Sequence, residues 1–461
     1  MYDYDVLVIG SGPAGEKAAF QAAKAGKRVG LVTLADRLGG NCLHTATIPS
    51  KTLRETVLYI AGIKQRSLHG IRCSLRKNVT MDDLLRRKET VIQSQIEVLE
   101  HKLDRNNVDL ITGSASFVDP HCVLVAAADG HRREYRAEII VIATGSRPAR
   151  DPAIPFDDET VCDSDSILGL DTIPRTLTIV GAGVIGCEYA CMLAHLGTKV
   201  TLVDGRPRVL DFVDREIADI LVYRMRKVNI TMRLGEEVES IERVDPRRVV
   251  ARTKSGKVIA AEKLLYAVGR EGSTQSLNLA AIGLAAGKRG LLEVNEHFQT
   301  TLPHVYAVGD VIGFPSLAAT SMEQGRRAMA HALLGSDVTN HQHLQPYGIF
   351  TIPEISMVGA TEESLTKACV PYEIGQALYR EIARGELVGD VEGMLKLLFH
   401  RETRALLGVH VIGEKASELI HIGQSVLTFS GTIDYFVEAV FNYPSLSEAY
   451  KVAALNGINR L

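Results

Sequence analysis

The sequence predicts an α/β chain made of two parallel-sheet units and a C-terminal α+β domain. Three observations carry that prediction. A short apolar run, Val6 to Ile9, enters Gly10-Ser11-Gly12-Pro13-Ala14-Gly15 and then an alanine-rich helix to about Ala25. The same order returns at Thr176–Val180, which runs into Gly181-Ala182-Gly183-Val184-Ile185-Gly186 and a helix through Leu196. From Tyr347 the chain changes character, with alternating strands such as Gly393–Phe399 and helices around Ala416–Phe429 and Ile433–Val440.

A length of 461 residues suggests two to four domains. Hydrophobic content of 46% and charged content of 23% are those of a soluble globular protein. The formal charge of −3 gives no general attraction to nucleic acid or anionic membrane. No apolar stretch is long enough to span a bilayer, and a first strand at Tyr4–Ile9 leaves no room for a signal peptide. Seven cysteines, odd in number and scattered, favour a reducing compartment. The expected setting is the cytoplasm, with no nucleic-acid, membrane or metal partner.

Each glycine of the first unit has a task. Gly10 permits the tight turn, Gly12 lets the backbone approach a pyrophosphate, and Gly15 lets helix pack on strand. The helix N-terminus then faces phosphate charge. The second strand, Arg28–Val32, ends at Thr33, where an acidic residue for an adenosine ribose is expected; Asp36 is the nearby alternative. After Lys51 come two long helices, Thr52–Gln65 and Met81–Asn106, whose charged faces read as solvated. Strands near Val108–Phe117 and Val123–Ala127 lead to Glu138–Ile142, then Ala143-Thr144-Gly145 and a proline-rich linker from Ser146.

The second unit carries Asp204 about 20 residues past its glycines. Two Rossmann-like dinucleotide-binding domains in one chain imply two dinucleotides. Asp204 suits a ribose 2′-OH and repels a 2′-phosphate, whereas Arg206 and Arg208 can bind that phosphate; together they suggest a site tolerant of NAD and NADP. The strand Leu264–Val268 with Gly269 closes this unit. Cys187 and Cys191, a turn apart, read as small core residues without metal-ligand company. The expected boundaries are 1–150 with 271–345, then 151–270, then 346–461.

The segment Cys42-Leu43-His44-Thr45-Ala46-Thr47-Ile48-Pro49-Ser50-Lys51 follows Gly39-Gly40. With Ala143-Thr144-Gly145 and Val305-Tyr306-Ala307-Val308-Gly309-Asp310, it resembles the FAD-dependent pyridine nucleotide–disulphide oxidoreductases. That resemblance implies FAD in the first unit, NAD(P) in the second, and a C-terminal interface (dimerisation) domain joining a homodimer or larger homo-oligomer. It places Gly40, Cys42, Thr144, Gly145 and Gly309 in the cofactor site, with Asp310 on the flavin ribitol and the helix from Ala318 on the flavin O2 side. Lys51 and Glu188 become the pair positioning nicotinamide against flavin.

Two departures from the family stand out. Thr47 replaces the flavin-facing cysteine, and Tyr443-Pro444-Ser445-Leu446-Ser447-Glu448 keeps Glu448 but puts Tyr443 where the family has its acid/base histidine. A dithiol relay needs two sulphurs and a base near neutrality, whereas an ordinary phenol titrates at about 10. Both losses strike one half-reaction and spare nicotinamide-to-flavin transfer. Full-length phrases, among them Gly-Ala-Gly-Val-Ile-Gly-Cys-Glu-Tyr-Ala and Phe-Asn-Tyr-Pro, resemble the soluble, FAD-dependent pyridine nucleotide transhydrogenases. Such enzymes imply a ping-pong cycle in one nicotinamide pocket, with NAD(H) and NADP(H) as substrates and catalytic candidates Lys51, Glu188, Thr47, Tyr443 and Glu448. Cys42 then has no required role, although a thiol at a helix start with His44 nearby can be activated. The alternatives are a reductase of quinone, oxygen or peroxide, and a non-catalytic flavin-binding interaction subunit.

Overall fold

A computed structural model of the chain describes residues 1–65, 80–335 and 344–461; Cys73 lies outside them. In the first sheet, the strand Tyr4–Ile9 is central. It pairs in parallel with Val29–Thr33 on one side and with the end of Arg132–Ile142 on the other. Val108–Thr112 adds beyond Val29–Thr33. Much later in the chain, Val305–Ala307 returns to pair in parallel with Ile140–Ile142. That return carries Gly309 and Asp310 to the same sheet edge as Thr144 and Gly145. The helix Ala318–Leu334 then lies against Pro13–Lys24 so closely that a Cβ on Gly325 would meet the Ala14 carbonyl oxygen at 2.1 Å.

The second parallel sheet repeats this logic. Thr176–Val180 lies between Lys199–Asp204 and Lys263–Tyr266, with Thr231–Leu234 and Val161–Cys162 outside them. Strand ends therefore place Gly181, Asp204 and Ala267 along one edge, where open α/β sheets bind ligands. A small antiparallel sheet, Val238–Asp245 with Arg248–Thr253 and Val258–Ala261, packs beside it.

The helices Thr47–Gln65 and Met81–Arg105 are less solvated than their charged faces suggest. Leu53, Val57, Met81, Leu84 and Leu85 join a core with Ile179, Cys187, Cys191 and Leu193. Long helices of the first unit are thus clamped on the second. Among the described residues no helix is long and apolar enough to cross a membrane.

The C-terminal sheet is antiparallel, ordered Tyr347–Ile349, Ile355–Gly359, Leu406–Ile412, Met394–His400 and Tyr372–Leu378. Met394 through Phe399 are all buried. Leu395, Leu397 and Phe399 pack under the helices Ala416–Thr428 and Glu448–Ile458. The opposite face meets the helix Arg215–Lys227, which explains why a lysine can stand at its centre.

Lys396 is fully buried with its Nζ 2.9 Å from Asp214 Oδ1 and 3.1 Å from Glu216 Oε2, and it also pairs with Glu362. These three carboxylates have oxygens within 4.8 Å of one another, a spacing that suits a cation, and the ammonium stands among them. Asp214 also caps its helix by accepting the Glu216 N–H. Burial lowers the Lys396 pKa, yet the surrounding carboxylates raise it overall, so the charge is held. Removing one member of a buried ion cluster strands the others without water. Lys396→Met is therefore expected to cost about 3–5 kcal/mol of unfolding free energy in a urea titration. A loss below about 1 kcal/mol would contradict this account of the cluster.

Candidate active site

A cleft of about 1710 Å³ runs between the sheets and is lined by both glycine-rich turns, the Cys42–Lys51 stretch and the Asp310 segment. In the first turn, Gly10 has φ 110, and a Cβ there would lie 2.3 Å from the Ala143 carbonyl oxygen. A Cβ on Gly15 would sit 1.8 Å from the Gly10 carbonyl oxygen. Gly12 differs: nothing of the protein lies within 4 Å of its Cβ position. Its openness faces the cleft and fits a ligand that needs bare backbone. A Cβ on Gly40 would meet Gly12 Cα at 2.9 Å, so the two close the cradle together.

Other groups in the cleft fit a flavin dinucleotide. Thr144 Oγ1 and Thr45 Oγ1 are buried without partners. Asp310 accepts a 2.8 Å hydrogen bond from Ser146 Oγ, whose own oxygen accepts one from Arg270 Nε at 2.8 Å. Gln324 holds the Gly309 N–H at 2.8 Å. The helix starting at Ala318 has no side-chain cap, leaving its first N–H groups for a ligand. Thr33 faces the cleft, buried and 2.6 Å from Ser11 Oγ. Asp36 turns out to solvent at 83% side-chain exposure beside Arg37, so it does not substitute for the missing acid.

Cys42 lies on the short helix Gly40–His44 and faces Thr47. Burial pushes the Cys42 thiol pKa up, and the hydrogen bond with Thr47 offsets this only in part. His44 is engaged with the Leu38 carbonyl at 2.9 Å. The cysteine is thus kept as a thiol.

Lys51 and Glu188 come together from 137 residues apart, with Nζ 2.8 Å from Oε2. Two contacts here escape sequence reasoning. The Phe350 N–H donates to Glu188 Oε1 at 2.8 Å, and the Lys51 ammonium lies 5.0 Å from the Phe350 ring centroid. One turn on, Arg54 is buried between Glu354 (3.1 Å) and the Thr351 carbonyl (3.2 Å). Tyr347 also lines the cleft, between the rings of Phe212 (5.0 Å) and Phe314 (6.3 Å). Burial, then the charges of Glu188 and Asp310, push its hydroxyl up to about 12. The only available signal was Phe350-Thr351-Ile352-Pro353-Glu354 itself, which says nothing about its distant partners.

In the second turn, a Cβ on Gly181 would lie 2.4 Å from the Ala267 carbonyl oxygen, and one on Gly186 would lie 1.8 Å from that of Gly181. Gly183 sees only Arg206 Nη2, at 3.8 Å. Both oxygens of Asp204 are engaged: Ala182 N–H at 2.6 Å, Arg206 N–H at 2.7 Å, and the Arg206 guanidinium at 2.8 and 3.0 Å. Burial raises the Asp204 pKa, but these donors pull it down overall, so it is ionised. Arg208 is not part of this cluster. It points to Glu363, 3.7 Å away, and does not line the cleft.

Tyr443 and Glu448 do not line their own chain's cleft. Tyr443 is 74% exposed, and Phe429 and Val440 are also exposed, while Glu448 Oε2 is buried without a partner.

Comparison with known proteins gives a consistent picture. Residues 4–325 match the pyridine nucleotide-disulphide oxidoreductase family, and residues 345–454 match its dimerisation domain. A soluble pyridine nucleotide transhydrogenase of Mycobacterium bovis (strain BCG / Pasteur 1173P2) is 51% identical over 464 residues, covering 100% of this chain and 98% of its own. One from Enterobacter sp. (strain 638) is 47% identical, covering 100% and 99%. Among solved structures, LpdA from Mycobacterium tuberculosis superposes with a TM-score of 0.90 at 27% identity, covering 98% of this chain and 99% of that one. The HOCl-induced flavoprotein disulfide reductase RclA from Escherichia coli gives 0.86 at 29%, with 98% and 99% covered.

The Cys42 environment makes a direct prediction. A raised thiol pKa leaves the protonated, unreactive form dominant at neutral pH. Iodoacetamide labelling followed by peptide mass analysis is expected to modify Cys42 far more slowly than exposed Cys369 at pH 7, with the rate climbing only at alkaline pH. Rapid Cys42 labelling at pH 7 would contradict it.

Proposed function

The chain belongs to the pyridine nucleotide-disulphide oxidoreductase family, and we propose that within it the protein is a soluble transhydrogenase carrying hydride from NADPH to NAD. The observation that carries this reading is a single cleft holding two complete dinucleotide turns, the Lys51–Glu188 pair, and one thiol where a dithiol would be needed. FAD, when bound, would supply the two-electron hydride chemistry that couples one nicotinamide to another.

The remaining work is done by the chain. Gly12 and Gly40 would cradle the FAD pyrophosphate on the turn that Gly10 and Gly15 shape, and Thr33, Thr144 and Gly145 would border its adenosine and flavin halves. Asp310 would hold the ribitol, and the uncapped N–H groups near Ala318 would serve the O2 edge. Lys51 would orient the flavin's N5 side, and Glu188 fixes the ammonium while its second oxygen is tied to Phe350. Thr47 puts a hydroxyl, which cannot form a disulphide, where a relay would receive electrons, so hydride leaves only by the nicotinamide side. Cys42 stays a bystander.

Gly181, Gly183 and Gly269 would receive the nicotinamide nucleotide, on a turn that Gly186 closes by packing its helix against Gly181. The mutual pairing of Asp204 and Arg206 supports tolerance at the 2′ position. With NAD the ribose hydroxyl donates to Asp204; with NADP the guanidinium turns to the phosphate. Arg208, held by Glu363, is not needed for this. Residues 1–150 with 271–345 form the FAD part, 151–270 the nicotinamide part, and 346–461 the interface of a homodimer. Tyr443 and Glu448 of that interface serve the partner's site. The six described cysteines are free, which supports a cytoplasmic setting.

Anaerobic NADPH is expected to bleach the flavin spectrum, and added NAD to restore it with stoichiometric NADH. Bleaching that NAD cannot reverse would overturn the transhydrogenase assignment, and no bleaching by either nucleotide would remove the enzyme reading.

A further inference from the structure

Arg289 stands in the cleft with no hydrogen bond or ion pair to any described residue. It occupies the turn Lys288–Gly290 at φ 59, ψ 27, a left-handed backbone that an L residue adopts only at some cost. The side chain lies back across Gly269. Its Nη1 is 3.0 Å and its Nη2 4.0 Å from the Gly269 Cβ position, a residue with φ 106 where any side chain would displace it.

Gly269 locates that guanidinium in the fold. It follows the strand Lys263–Tyr266, whose parallel neighbour Thr176–Val180 runs straight into Gly181. The Ala267 carbonyl lies against Gly181 itself. Arg289 therefore covers one flank of the second glycine turn, and Arg206, against Gly183, covers the other. The two cations are in different states. Arg206 is paired with Asp204 and Asp211. Arg289 is unpaired, although Asp151, Glu236, Glu237 and Glu239 also line the cleft. Glu236 and Glu237 are held by Lys257 and Lys254. An arginine fork left free over a glycine turn, amid managed carboxylates, has the chemistry of a phosphate receptor.

We propose that Arg289 anchors the pyrophosphate shared by NAD and NADP, while Arg206 serves the 2′ end. This inference rests on the transhydrogenase reading, in which both nucleotides use the cleft in turn. An anchor on the shared group grips either nucleotide without discriminating, and its exposed position at the rim lets the product leave.

The test uses FAD-loaded protein and calorimetric dissociation constants for NAD, NADP, ADP-ribose and adenosine 2′-monophosphate. Arg289→Gln is expected to weaken NAD, NADP and ADP-ribose by about tenfold each, leaving adenosine 2′-monophosphate and the flavin spectrum unchanged. Arg289→Lys should recover part of the loss. Arg206→Gln should do the converse, weakening NADP and adenosine 2′-monophosphate alone. Unchanged NAD and ADP-ribose binding in Arg289→Gln would overturn the anchor, as would weakening confined to NADP and adenosine 2′-monophosphate. Wild-type protein that binds neither NAD nor NADP would sink the transhydrogenase reading itself, an outcome visible before any variant is made.

Discussion

The Glu188 carboxylate is the point at which three parts of the chain are tied. One oxygen takes the Lys51 ammonium from the helix Thr47–Gln65, and the other takes the Phe350 N–H just past the strand Tyr347–Ile349 of the C-terminal sheet. Glu188 itself rides on the helix of the second glycine turn and is only 4% exposed. A buried carboxylate cannot stay charged without such partners, so the three elements must arrive together. Satisfying this one group sets the approach of the two dinucleotide cradles to each other. Hydride transfer needs that approach to be right within a fraction of an ångström.

The same device recurs at other junctions. Arg54 and Glu354 join the first unit to the C-terminal sheet, and Lys396 with Asp214 joins that sheet to the second unit. Buried pairs contribute little net stability compared with well-packed apolar groups, but a misplaced partner is heavily penalised. Here the apolar cores supply cohesion and the ion pairs select one mutual arrangement.

Local chemistry was legible in the sequence and distant chemistry was not. Gly10, Gly15, Gly181 and Gly186 could be read because a strand, a tight turn and a helix impose their geometry within a few residues. The return of Val305–Asp310 to the first sheet was readable only through family likeness. Arg208 looked like a phosphate ligand because it lies four residues after Asp204, yet the chain carries it out to Glu363. Asp36 likewise lay close in sequence and faced solvent in space. Phe350 and Lys396 find partners more than 150 residues away, and no periodicity encodes such pairings. Tyr347 was missed for the same reason.

The central claim is that hydride enters and leaves through a nicotinamide–flavin contact, with no second redox centre behind it. Thr47 opposite Cys42 is the structural basis of that claim. Anaerobic titration of the FAD-loaded protein with dithionite counts its electron capacity directly. Complete bleaching after about two electrons per flavin, with no long-wavelength intermediate, is the expected result. Uptake of about four electrons per flavin would mean that a sulphur pair does take part, and would contradict the account.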